Sequence, residues 1–240
     1  AGVESAGLVS IAGTALARTG GLIEIGGEAS GAQVTGSLEA ETGGSVNAHF
    51  NTEGSLLYGS ILSQGEGSKV TAEFHGGKLE GSVQALDSGT VNLDFRGSSA
   101  LLEGSLEAHR NGTLQASFAE GAVFTGRAAT TYSSTASNLS FTSGARWNVT
   151  GDSNVTTLTV DDNAAVSLRG AATTLTVDQA QRGSGALFAL DLDPSNRNRR
   201  APSAQSDYLY FNGSTEGVQR VDFDTANLRT LGEGDKLYFA

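Results

Sequence analysis

The chain of 240 residues holds 33 glycines, 2 prolines, no cysteine and no methionine, and its formal net charge is −11 with a pI of about 4.6. That acidity argues against nucleic acid and against adsorption to anionic lipid, both of which need a basic face. Without cysteine there are no disulfides and no thiolate metal sites, and so few prolines rule out a proline-rich disordered tract.

The chain opens on a repeat. Gly13-Thr14-Ala15-Leu16-Ala17, Gly36-Ser37-Leu38-Glu39-Ala40, Gly59-Ser60-Ile61-Leu62-Ser63, Gly81-Ser82-Val83-Gln84-Ala85, Gly104-Ser105-Leu106-Glu107-Ala108 and Gly126-Arg127-Ala128-Ala129 are copies of one unit, and their lead glycines recur at a nearly fixed period. Two positions before the glycine stands Val34, Leu57, Leu79, Leu102 or Phe124, and two after it Leu38, Ile61, Val83, Leu106 or Ala128. A period of two marks a strand with one buried face. The glycine falls on that same face, where it admits a close neighbour.

A second strand follows in each repeat: Val46 to Phe50, Val70 to Phe74, Val91 to Phe95, Leu114 to Phe118, and a shortened Leu139-Ser140-Phe141. Its phenylalanines recur in step with the lead glycines and predict an internal aromatic column. Gly/Ser/Asn-rich turns join the strands and leave room for a third short strand per repeat. No stretch sustains a 3.6-residue period. The reading is all-β: a right-handed parallel β-helix of about 22–23 residues per coil, with some six coils over residues 1–145. A leucine-rich repeat would need an L-x-x-L-x-L-x-x-N pattern, which is not present.

The outward positions are polar. Glu39, Glu80, Glu103 and Glu107 form a candidate interaction column, accompanied by Asn47, Thr71, Asn92 and Gln115. Carboxylates on adjacent coils could hold a divalent cation, but a solvated acidic face that protects a long sheet is the simpler reading. His49, His75 and His109 have no helical-spaced partner and read as surface residues. No nucleophile elbow, H-E-x-x-H or phosphate loop occurs. The acid pairs Asp161-Asp162 and Asp191 with Asp193 read as turn residues. No catalytic, cofactor or metal site is assigned. Five N-x-S/T sequons begin at Asn111, Asn138, Asn148, Asn154 and Asn212, as expected by chance in so Asn- and Ser-rich a chain.

Near residue 130 glutamate gives way to aspartate, and from 146 the repeat changes character. Short strands follow around Trp147, Val155 to Val160, Val166, Leu175 to Val177, Phe188, Leu209 to Phe211, Val218 to Phe223 and Leu237 to Phe239. They are interrupted by a polar loop over 193–206 that carries both prolines. The order Trp147, Gly151-x-Ser153-x-Val155-x-x-Leu158, Leu175-Thr176-Val177, Gly183-Ser184-Gly185, Phe188-x-Leu190, Ser206-Asp207-x-Leu209-x-Phe211-x-Gly213-Ser214 resembles the C-terminal end of bacterial autotransporter passenger domains, the pertactin-like autochaperone region.

The resemblance covers 146–240, and the basic residues at 197–200 depart from its pattern. It implies that the β-helix of 1–145 is a passenger shaft, continued for a few coils and closed by a β-hairpin-rich cap. Trp147, Leu158, Phe188, Leu209 and Phe211 would form the folding core of that cap. It further implies a non-enzymatic segment of a longer chain, displayed at the bacterial surface and anchored through its own C-terminal membrane barrel. The stalk would serve adhesion or self-association, rod against rod or against host surface molecules. No cofactor, nucleic acid or direct membrane insertion is expected. Cysteine-free composition suits passage through a narrow barrel. Other readings are a β-helical polysaccharide lyase or glycosidase, a stalk displaying a more N-terminal domain, and a phage- or fibre-like structural β-helix, which would normally trimerise.

Overall fold

The computed structural model describes residues 2–3, 9–26, 31–131, 135–192 and 206–223. Asp193, the basic 197–200 segment and the strand expected at Leu237 to Phe239 lie outside the described residues. Within them the chain winds as a parallel β-solenoid whose strands fall alternately into two sheets. One sheet stacks the glycine-bearing strands: Val9–Arg18, Ala32–Glu41, Leu56–Gln64, Lys78–Leu86, Leu101–His109 and Val123–Thr131, continued by Arg146–Val149, Ala165–Ser167, Leu187–Leu190 and Arg220–Phe223. The other stacks the strands of the phenylalanine column: Leu22–Ile25, Ser45–His49, Lys69–His75, Thr90–Arg96, Thr113–Ala119 and Ala136–Phe141, continued by Ser153–Val160, Thr174–Arg182 and Tyr208–Phe211.

Every named ladder is parallel, and the repeats align residue for residue: Gly59 on Gly81, Gly81 on Gly104, Gly104 on Gly126. Because side chains alternate along each strand, this register sends Leu79, Leu102 and Phe124 into one inner column and Val83, Leu106 and Ala128 into another. The third strand expected in each repeat does not form among the described residues. The glycine strands are long, and tight turns take up the remainder of the coil.

The phenylalanine column is an internal stack. Phe50, Phe74, Phe95, Phe118 and Phe141 are sealed from solvent, with neighbouring ring centroids 4.5–4.9 Å apart and ring planes within 10°. The ring separation therefore matches the strand spacing of about 4.8 Å. Phe124 and Trp147 lie beside the upper end of the stack, and Trp147 is in contact with both Phe124 and Phe141.

From 146 onward the coils change length but not direction. The coil that carries Trp147 onto Val166 is shorter than those of the shaft. The coil that carries Phe188 onto Val221 is longer, because its span includes residues 193–205. A register shift between Val155 and Thr157 absorbs part of the change. The β-hairpins expected of a cap are not among the described residues, where strands remain parallel through Phe223, and residues 224–240 lie outside them. One continuous apolar core runs from Val9 to Leu190. Trp147, Leu158 and Phe188 are fully buried in it, whereas Leu209 and Phe211 are partly buried and pack against it. The five residues thus sit in successive coils of the common core instead of forming a separate cluster.

Candidate functional site

The register redistributes the four glutamates. Glu80 pairs with Glu103, in line with Thr35, Tyr58 and Thr125. Glu39 lies in line with Leu62, Gln84 and Glu107, on the far side of the glycine column. The single acidic column expected from the sequence is therefore two columns, because Glu80 and Glu103 precede their lead glycine by one position while Glu39 and Glu107 follow theirs by three. The two columns also differ in their partners. Glu107 joins three coils, accepting from Arg127 Nη2 at 2.9 Å and Gln84 Nε2 at 3.2 Å, with His109 Nε2 at 3.3 Å. Burial pushes the Glu107 carboxyl up, but the hydrogen bonds from His109, Gln84 and Arg127, with the Arg127 charge, outweigh it and hold the group below its ordinary value. Glu39 accepts from Ser37 Oγ at 2.6 Å.

The histidines also join coils. His49 Nδ1 lies 3.0 Å from Glu73 Oε2, and His75 Nε2 lies 3.4 Å from Asp94 Oδ2, which Arg96 Nε also reaches at 2.8 Å. The acids at turns are structural. Asp161 Oδ1 accepts from the Asp162 and Ser184 backbone N–H groups, and Asp191 Oδ2 accepts from the Gly170 N–H. Among the described residues no group of three or more His, Cys, Asp or Glu side chains is arranged to hold a metal ion.

Two further arrangements emerge only in the fold. The first is Asp207, which is fully buried. Its Oδ1 accepts from the Thr173 N–H at 2.9 Å and its Oδ2 from the Asp191 N–H at 2.7 Å, so one carboxylate joins three strand-end segments of successive coils. Burial pushes this carboxyl up, against the pull of those two N–H groups. Nothing in the composition of Ser206-Asp207 signals an aspartate inside.

The second is a groove of about 410 Å³ on the outer face of the phenylalanine sheet. One wall is the column Thr71, Asn92, Gln115, Asn138 and Thr157, and the other runs through Glu73, Asp94, Ser117, Ser140 and Thr159. The signal for it is positional: Thr71, Asn92, Gln115 and Asn138 each stand three positions before a stacked phenylalanine. Counting back from the aromatic column aligns them.

The chain matches no family profile, no characterised protein and no solved structure. Its geometry offers long regular polar faces, the shallow polar groove on the phenylalanine sheet, and a core shared by successive coils.

Proposed function

We propose that the chain is a non-enzymatic β-helical rod of the autotransporter-passenger kind, displayed at a bacterial surface, whose coils beyond residue 146 form first and template the shaft. Its outward faces are left to make contacts for adhesion or self-association. The observation that carries this reading is the parallel ladder, which runs in both sheets from the first described strands to the last with a register shift at Val155 and Thr157. No coil of such a stack can bury its apolar face alone, so each new coil needs a formed edge to land on. The C-proximal coils supply one, anchored by Trp147. Its ring closes the aromatic column, and its indole Nε1 donates to the Gly126 carbonyl at 3.0 Å, reaching back one coil. The cysteine-free sequence is compatible with export in an unfolded state.

The test is refolding kinetics followed by circular dichroism, with Trp147 fluorescence as a second readout on the full chain alone. A chain lacking 146–240 should refold at least about tenfold more slowly than the full chain, because nucleating an unsupported coil carries the ordering cost with little burial in return. Trp147→Ala in the full chain, followed by circular dichroism alone, should slow the same phase. Equal rates for shaft and full chain would overturn the templating role.

A further inference from the structure

The groove on the phenylalanine sheet has two unlike walls. In one, charged groups are already engaged: Glu73 by His49, and Asp94 by His75, Arg96 and Ser117. In the other, the side-chain amides of Asn92, Gln115 and Asn138 make no hydrogen bond within the described residues. Each primary amide offers two N–H donors and a carbonyl acceptor on one short planar head. Stacked one coil apart, they repeat this pair of functions about every 4.8 Å along the solenoid axis.

We propose that this groove binds a neutral polysaccharide chain lying along the axis, its ring hydroxyls paired with the amides of Asn92, Gln115 and Asn138, with Thr71 and Thr157 at the two ends. Charge selects a neutral ligand. The uncommitted groups are uncharged, the carboxylates on the facing wall and the −11 net charge repel a polyanion, and those same carboxylates are already paired and leave little for a polycation. Spacing selects a sugar over a peptide. An extended peptide repeats at about 3.3 Å per residue, or about 6.7 Å per side, out of step with the coils. A glycan chain extended through its ring linkages advances by one ring in a length comparable to the coil spacing, so successive sugars meet successive amides. Vicinal ring hydroxyls place a donor and an acceptor side by side, which an amide head answers in two-point fashion. Five coils, from Thr71 to Thr157, span about 19 Å and accommodate roughly four rings. The groove stands on this wall of amides alone, independently of how the rod reaches its destination.

The experiment titrates the full chain with cellotetraose and mannotetraose as neutral probes, and with tetragalacturonate and an uncharged Ser/Thr octapeptide for comparison. Two-dimensional NMR of the side-chain NH2 groups gives the readout. At least one neutral tetrasaccharide should shift the NH2 signals of Asn92, Gln115 and Asn138. The triple variant Asn92→Ala, Gln115→Ala, Asn138→Ala should then lower its affinity by about tenfold or more. Gln33→Ala, an exposed amide on the other sheet, should leave it unchanged. The proposal is overturned if neither neutral probe binds at concentrations on the order of 10 mM. It is equally overturned if the bound probe shifts other amides only, if the triple variant binds as well as the parent, or if tetragalacturonate or the octapeptide binds more tightly than both sugars. Because the shifts are read on the parent protein, they decide the matter even if the triple variant folds poorly.

Discussion

At Gly104 the backbone sits at φ +148°, and a β-carbon built there would lie 1.7 Å from the carbonyl oxygen of Gly81 in the coil before. The glycine is therefore required by the preceding backbone more than by the core side chains beside it. Gly36, Gly59, Gly81 and Gly126 meet the same obstruction, each from the glycine one coil earlier. Gly104→Ala must push two strands apart or change φ, so a loss of about 3 kcal/mol or more is expected in urea denaturation. A variant within about 0.5 kcal/mol of the parent would show that the coils can separate locally at little cost.

Glu107 makes a different demand on its surroundings. Folding lowers its pKa, so the stability it contributes is fully present above its ordinary value and is lost as pH falls through the folded value. In Glu107→Gln the acid limb of the denaturation midpoint, followed between about pH 5 and pH 2, should be shallower than in the parent. Since Arg127 is largely exposed, the difference should stay near about 1 kcal/mol. An identical acid limb would remove Glu107 from the account.

At the level of single elements, the phenylalanine strands show how repetition accumulates stability. Phe95 is stacked on both faces, against Phe74 at 4.5 Å and Phe118 at 4.9 Å, whereas Phe50 meets one ring of the column, Phe74, at 4.7 Å. Truncation to alanine at either position should cost about 3–5 kcal/mol. Phe95→Ala should exceed Phe50→Ala by about 1 kcal/mol, the worth of one further ring pair. Equal losses would mean that burial alone, without the stacking, sets the value of the column. The strands themselves were plain in the sequence, because period two and the spacing of Gly104 and Phe95 from their copies state both the pleat and the stack. The shortened coil from Trp147 to Val166 was not, because the residues lost there come from the glycine-bearing strand, four residues at Arg146–Val149 against nine at Val123–Thr131, and a truncated strand keeps the same period of two. The amide wall was half visible. Asn92 and Gln115 read as outward and polar, but only the coil-to-coil register shows that they line up and that the acidic residues divide into two rows. Asp207 was hidden altogether, since a buried carboxylate is recognised by the N–H groups that meet it and not by its neighbours in sequence.

The whole molecule is close to one-dimensional: each coil touches the coil before and the coil after, and its stability approaches a sum of coil and interface contributions. Losing coils from such a stack removes their own share of stability and little else. Losing an end that nucleates such a stack, the role proposed above for the coils beyond 146, would alter a rate. This is why the deletion of 146–240 is read through kinetics. The shaft keeps its six glycine strands and the whole phenylalanine column, and what it lacks is the edge proposed to form first and the Trp147 bond to Gly126. The acidic surface acts at the same scale, its like charges opposing indiscriminate stacking of sheets and leaving the proposed self-association to specific contacts between outward faces.

The glycine column has an evolutionary consequence. A strand displaced by one residue would bring a side chain against the carbonyl that now faces Gly104, so small insertions and deletions inside the strands are penalised at every coil. A gain or loss of one entire repeat restores glycine to glycine and phenylalanine to phenylalanine and disturbs nothing but the length. A chain built on this lock drifts in whole coils, and related rods should differ in how many turns they have long before they differ in how a turn is made.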